Sequence, residues 1–439
     1  MSDATAPPTP PVPEKVTIFA SLRLPNYRLF WSAGFVSNIG TWMARVAQDW
    51  LVLTELAPKS PIPPSLALGL VTALQFLPVI LAVPWAGAVA DRFPKRRVLQ
   101  VTQSLMMASG LTLAGLVLGG VAALWHVFAL AFVTGVASAF DAPARQSMAP
   151  EMVPRHLIPN AVGLNTTSFN IARLIGPAVA GLIITRWGVG PALLANGLSF
   201  IPVIVAMALL DASKLTPAPR TTKKGAVREG FAYVRRRSDI VVVMVIGFML
   251  GTFGMNFQIT NALAANQTFH VDAAQYGYLN SIMAVGSVTA GLLAARRTHP
   301  RLRIILLAFA GFAVTTALLA IAPNYWFYAI VLAPTGLFAL TVMTSCNASI
   351  QMASAPRMRG RVTALYTAVF QGGTPLGASF VGWIGDVLGP RATLAVASIA
   401  AAVTVVGVVL YVLRRNGFQW PHAHAKDDGV RLHDIEDPR

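Results

Sequence analysis

Apolar residues run through this chain in long blocks broken by short polar stretches. The pattern is neither the two-residue alternation of a half-buried strand nor the one-sided stripe of a water-facing helix. About 20 apolar residues in a helix cross the ~30 Å hydrocarbon layer of a bilayer. The blocks predict twelve such spans, at 29–54, 66–90, 98–120, 122–141, 161–186, 189–210, 240–263, 273–295, 303–322, 326–352, 362–385 and 391–413. The expected fold class is therefore an all-α membrane protein. The longest internal stretch that cannot span, 211–239, divides the spans six and six. The predicted organisation is a tail at 1–28, a six-helix half at 29–210, a linker at 211–239, a second half at 240–413 and a tail at 414–439. Within the linker an amphipathic helix is predicted to turn Val227, Phe231 and Val234 to the membrane and Arg228, Arg235 and Arg236 to anionic lipid phosphates.

An internal repeat supports two pseudo-symmetric halves. The stretch "GAVADRFPKRR" after span 2 aligns with "GLLAARRTHPR" after span 8, which pairs Gly87 with Gly291 and Arg92 with Arg296. Spans 5 and 11 match as well, pairing Asn170 with Gln371, Arg173 with Thr374, Gly176 with Gly377 and Gly188 with Gly389. Parallel halves related by an axis along the membrane normal place a binding site between them, near mid-membrane.

A net charge of +17 raises the question of nucleic acid, and the placement of the basic residues answers it. Of 34, 29 fall in the two tails and in the loops after even-numbered spans, against three (Lys59, Arg186, Arg391) on the other side and two (Arg45, Arg173) inside spans. The positive-inside rule makes the richer side cytoplasmic, with both termini there, and no nucleic-acid partner is expected. The N-terminal segment has no signal-peptide pattern. Trp125, Trp187 and Trp326 fall at outer span ends, as an aromatic belt requires. The single cysteine, Cys346, permits neither an intrachain disulfide nor a cysteine metal cluster. No metal and no cofactor is expected, and no phosphate loop marks ATP as the energy source. The spans hold no cluster of catalytic or metal spacing, so an enzyme is not expected.

Two motifs give the chain a resemblance. "GAVADRFPKRR" (Gly87–Arg97) and "GLNTTSFNIARLIGPAVAG" (Gly163–Gly181) are similar to the signature between helices 2 and 3, and to the antiporter motif of helix 5, in the major facilitator superfamily. "LPNYRLFWSAGFVSNIGTWM" and "AFDAPARQS" resemble its exporter branch, which includes the enterobactin exporter and macrolide-type pumps. The resemblance covers about Arg23 to Leu413. It implies a gating role for Gly87, Asp91, Arg92 and Lys95, with the Asp91 carboxylate at the N-terminus of helix 11, where a helix dipole favours an anion. Lys95, one turn on, is then placed to reach Asp141 and latch the cytoplasmic side. In the helix 5 motif, Gly163, Gly176, Pro177 and Gly181 match positions of close helix packing.

Within the spans the candidates are few. Arg45 and Asp49 stand four residues apart on span 1, a spacing at which they can pair, and read either as a static pair or as the proton-coupling site. Thr166, Asn170, Arg173 and Pro177 share one face of span 5, and Arg173 reads equally as structural or as a substrate or proton ligand. Asn256, Gln258, Asn261, Asn347, Gln351 and Gln371 are candidates to line a cavity or to bond between helices. These features lead to a monomeric secondary transporter of the bacterial cytoplasmic membrane, exchanging protons for a bulky, partly apolar small molecule that it exports. A substrate:proton symporter and a non-transporting sensor or scaffold are the alternatives.

Overall fold

The computed structural model describes residues 17–215, 226–295, 301–355 and 358–415, apart from a few side chains within helices, those of positions 87 and 91 among them. Every regular element among the described residues is helical. Twelve long helices follow one another: α1 (Pro25–Leu51), α2 (Pro64–Arg92), α3 (Lys95–Leu118), α4 (Leu124–Glu151), α5 (Ile158–Trp187), α6 (Val189–Leu209), α7 (Ser238–Thr268), α8 (Ala273–Ala295), α9 (Leu302–Ala320), α10 (Tyr325–Ala353), α11 (Arg359–Val387) and α12 (Pro390–Arg415). Among the described residues, ten of these helices are long and apolar enough to cross a membrane, and α1 and α11 are more polar. Their composition accounts for it, since α1 carries Arg45, Gln48 and Asp49, and α11 carries Arg359, Arg361, Gln371 and Asp386. The loop ends bearing Arg92, Lys95, Arg155 and Arg359 define the basic face of the bundle, and the opposite end is the far face.

Local chemistry sets the helix ends. Pro94 drives Phe93 into extended backbone (φ −101°, ψ 152°), which stops α2 and lets α3 begin at Lys95. Gly188 and Gly389, paired by the internal repeat, both adopt φ +86° at the α5/α6 and α11/α12 turns. Only glycine enters that region without strain. Pro202 lacks the N–H that Leu198 would accept, and α6 breaks at Phe200.

Two predicted spans are too short. The fourth helix continues past Asp141 and through Pro143 and Pro150 to Glu151, ending just ahead of Pro154. The seventh reaches Thr268 through two widened turns, Leu250–Gly254 and Ala264–Thr268. A hydropathy block ends where polar residues begin, but a helix does not.

The halves pack alike. In the first, α2 lies on α4, α3 on α4 and α6, and α1 on α5; in the second, α8 lies on α10, α9 on α10 and α12, and α7 on α11. The linker helix Ala226–Arg235 belongs with the second half. Glu229 pairs with Arg361, and the Tyr233 hydroxyl accepts from the Ala355 N–H at 3.2 Å. Val234, predicted to face the membrane, is buried in the apolar core instead, because the helix lies against α11. Phe231 is exposed as expected, while the side chains of Val227 and Arg228 lie outside the described residues.

Between the halves, α2 meets α11 and α5 meets α8. Exchange of the halves by the repeat turns one pair into the other. Both contacts are backbone on backbone: a Cβ on Gly69 would stand 2.5 Å from the Ala378 carbonyl oxygen, and one on Gly181 would stand 2.5 Å from that of Ala273. Gly382 and Gly277 face Ser65 and Pro177 in the same way. These glycines lie in the far-face part of their helices, so the halves are closed there.

A side chain at Gly69 must therefore wedge the far face open. Gly69→Val is expected to increase several-fold the labelling, from the far face, of a cysteine at Gln48 in a Cys346→Ala background. Unchanged labelling would show that the contact does not hold the closure.

Candidate functional site

A cavity of about 980 Å³ runs from mid-bundle to the basic face. Helices α1 to α6 form almost all of its wall, and the second half adds only Asn347 and Gln351 at the basic-face end of α10. The lining mixes amides (Asn38, Gln48, Gln75, Gln103, Gln146, Asn165, Asn196) with apolar side chains (Phe76, Val79, Met106, Leu113, Phe169, Phe200). Its charged residues are Arg45, Asp141 and Arg145.

Asp141 is buried and fully engaged. It accepts from Thr102 Oγ1 at 2.9 Å, Gln103 Nε2 at 2.7 Å and Arg145 Nε at 3.0 Å, the last being one turn on along α4. This network belongs wholly to the first half. Lys95 does not reach it; its ammonium pairs with Glu151, ten residues further along α4. With the basic face open, Lys95 thus braces α3 to α4 within one half instead of reaching Asp141, since the helical extension of α4 brings Glu151 to the start of α3. Gly87 and Asp91 lie outside the residues whose side chains are described, and Arg92 stacks over the Phe93 ring at 5.9 Å.

Toward the far face, α1 bonds across the halves. Tyr276 Oη on α8 donates to Asp49 Oδ2 at 2.9 Å, and the Tyr276 ring stacks on Trp50 with centroids 5.9 Å apart. Arg45 Nη1 approaches Gln258 Oε1 of α7 at 3.5 Å. Arg45 and Asp49, whose spacing permits a pair, form no ion pair among the described residues, and each side chain bonds to the second half instead. Ser281 Oγ, donating to the Leu174 carbonyl at 2.7 Å, adds to this seam.

The other predicted cavity residues divide. Asn347 and Gln351 line the cavity and bond to each other at 3.1 Å. Asn170, Arg173, Asn256, Gln258, Asn261 and Gln371 are not part of its wall. Asn256 donates to the Thr252 carbonyl at 2.6 Å, and Asn261 accepts from Tyr328 Oη at 2.9 Å, so both serve the second half internally. Asn170 donates back to the Thr166 carbonyl at 2.9 Å. Arg173 stands with Arg45 at one indole: their guanidinium carbons lie 5.6 and 4.8 Å from the Trp42 ring centroid. Of the helix-packing positions, Gly176 sits against Trp42 on α1, while Pro177 and Gly181 sit against α8. Gly163 faces open space, with nothing within 4 Å of where a Cβ would be, so it packs no helix.

Tyr276, Glu151 and Trp42 escaped the sequence reading. Glu151 was detectable, since an acid just ahead of "VPR" ends a run of helix-compatible residues, but Tyr276 and Trp42 look like ordinary apolar positions.

The profile of the family described as "Transmembrane secretion effector" matches residues 16–431, nearly the whole chain. The chain belongs to the major facilitator superfamily. Among its relatives in that superfamily are the staphyloferrin A transporter of Staphylococcus aureus, 24% identical over 392 residues and covering 88% of this chain and 96% of the relative. The multidrug efflux pump Tap of Mycobacterium tuberculosis is 27% identical over 399 residues, covering 87% and 91%. The enterobactin exporter EntS of Escherichia coli is 22% identical over 400 residues, covering 89% and 92%. Among solved structures, a D-xylose–proton symporter superposes with a TM-score of 0.69 at 16% identity, over 88% of this chain and 97% of that one, and shows the shared fold. This major facilitator protein is thus a multi-pass membrane transporter and not an enzyme.

Two experiments test the contacts. Lys95→Gln and Glu151→Gln should couple by about 1 kcal/mol or more in a double-mutant cycle on thermal stability, as neighbours in one ion pair do, and Lys95→Gln with Asp141→Asn should be additive. Tyr276→Phe leaves the Asp49 carboxylate without its donor, a loss of about 1–3 kcal/mol in the far-closed state. It should raise far-face labelling of a cysteine at Gln48, and protection as in the parent would show that the bond contributes nothing to closure.

Proposed function

We propose that this transporter expels a bulky, partly apolar small molecule from the bacterial cytoplasm across the inner membrane, as a monomer exchanging it for protons, with the basic face and both termini cytoplasmic. The cavity carries this reading. Its volume suits a drug-sized molecule. Its wall of amides and aromatic side chains with few charges fits a ligand recognised by hydrogen bonds and apolar contact, and it faces the side from which an exporter loads. The names of the relatives, a siderophore exporter and a multidrug pump among them, point the same way. Excess basic residues on one face support the orientation and suit anionic lipid headgroups at that surface.

Asp49 is the proposed proton carrier. When the far face opens, Asp49 takes a proton from outside, and a neutral acid is buried at far lower cost than a carboxylate as the gate closes. With the basic face open the proton leaves by way of the cavity and the carboxylate accepts from Tyr276, a reading that the Tyr276–Asp49 hydrogen bond supports. A membrane potential supplies ~2.3 kcal/mol per charge for each ~100 mV, which drives the proton inward and the cargo outward. Asp91 and Arg92 are assigned to closing the basic face against α11 in the opposite state.

In inside-out vesicles, a macrolide, a catecholate siderophore or a lipophilic cation that is a substrate should evoke proton flux, and Asp49→Asn should abolish that flux while leaving binding of the compound measurable. Uphill transport by Asp49→Asn with the parental pH dependence would sink the coupling role.

A further inference from the structure

Arg45 and Arg173 pose a charge problem that the protein alone does not solve. Both guanidinium groups stand over Trp42. Arg173 makes no hydrogen bond and no ion pair among the described residues, and Arg45 makes one contact, at 3.5 Å to Gln258 Oε1, at the outer limit of a hydrogen bond. Each guanidinium carries five N–H donors, and an aromatic face satisfies none of them as an acceptor atom would. The nearest acid along the chain, Asp49, accepts its hydrogen bond from Tyr276 and makes no ion pair with either arginine, although its charge still acts on Arg45. Two cations and one anion within a few turns of α1 and α5 leave an excess of one positive charge inside the bundle. Both side chains are only partly buried and Arg45 lines the cavity, where an anionic ligand that displaces water can meet the excess charge.

Resting on the exporter reading above, we propose that Arg45 and Arg173 form an anion subsite that binds the carboxylate of an organic acid whose apolar body lies in the cavity. The planar guanidinium fork matches a carboxylate with two parallel hydrogen bonds, which an ammonium cannot do. The subsite adjoins the cavity: Arg45 and Phe169 both belong to its lining, and Phe169 meets Trp42 edge to face at 5.7 Å. These rings give the acid an apolar wall beside its charged end. A single carboxylate also balances the local excess of one, so loaded protein carries no uncompensated charge through the membrane interior. The cargo is accordingly an amphiphilic monoacid in preference to a neutral or cationic compound.

Matched acid and amide pairs test this directly, with 2-naphthoate against 2-naphthamide and indole-3-acetate against indole-3-acetamide, titrated calorimetrically into the purified full-length protein. The acid should bind roughly 10-fold or more tightly than its amide, the scale of one charge-assisted hydrogen bond. Arg173→Gln and Arg45→Gln should each bring the acid-to-amide affinity ratio to about one, while Arg173→Lys keeps part of the preference; elution as a monodisperse peak establishes that each variant is folded. Equal binding of acid and amide, no binding of either acid, or a preference that survives Arg173→Gln would overturn the subsite. The outcomes separate this inference from the export reading. Proton flux evoked by a neutral macrolide, with no acid preference, would leave export standing and remove the subsite. Acid preference without substrate-linked proton flux would keep the subsite and remove the coupling.

Discussion

Gly69 and Gly382 on one side, Gly181 and Gly277 on the other, let four helices touch backbone to backbone where the two halves meet at the far face. In lipid, helices gain little from hiding apolar surface from each other, and close van der Waals contact is what holds them together. Small residues are its precondition. Because both contacts lie toward one end of the bundle, the halves diverge toward the other, and the cavity at the basic face follows from that geometry. So does the composition of α1. Its polar side chains line the cavity and the seam between the halves and not the lipid, which is how a helix carrying an arginine and an aspartate remains in a membrane protein.

Each charge around that opening is handled differently. Asp141 is surrounded by three donors of its own half, and its position is fixed whatever the second half does. Asp49 depends on Tyr276 across the seam, so its surroundings change whenever the halves separate. Arg45 and Arg173 rest on an indole and lack an anion. The first arrangement suits a structural brace, the second a group that senses the state of the gate, the third a group that waits for a ligand.

The sequence exposed whatever depends on runs and repeats. The starts of most helices, the six-and-six division and the equivalence of Gly188 and Gly389 all follow from periodicity, and the structure gives both glycines the same φ of +86°. Partner choice was much less legible. Asp141 and Glu151 stand about 15 Å apart along α4, ten residues at ~1.5 Å each, and only the continuation of that helix through two prolines decides which one Lys95 meets. The i, i+4 spacing of Arg45 and Asp49 permits a pair without requiring it, and Tyr276 and Gln258 of the second half outcompete it. Tyr276 itself carries no signal, because one hydroxyl on an apolar helix is invisible until a carboxylate is seen opposite.

The lopsided cavity has a consequence for how such a protein diversifies. Nearly all of its wall comes from residues before position 201, while the second half contributes Asn347 and Gln351 and otherwise acts as the surface against which the first half turns. Selection for a new cargo then acts on one half of the gene and leaves the other free to keep its fit to the moving seam. Lineages of this architecture would drift in their choice of compound through their N-terminal halves, and a recombination event near the central linker would transplant a cargo preference in a single step.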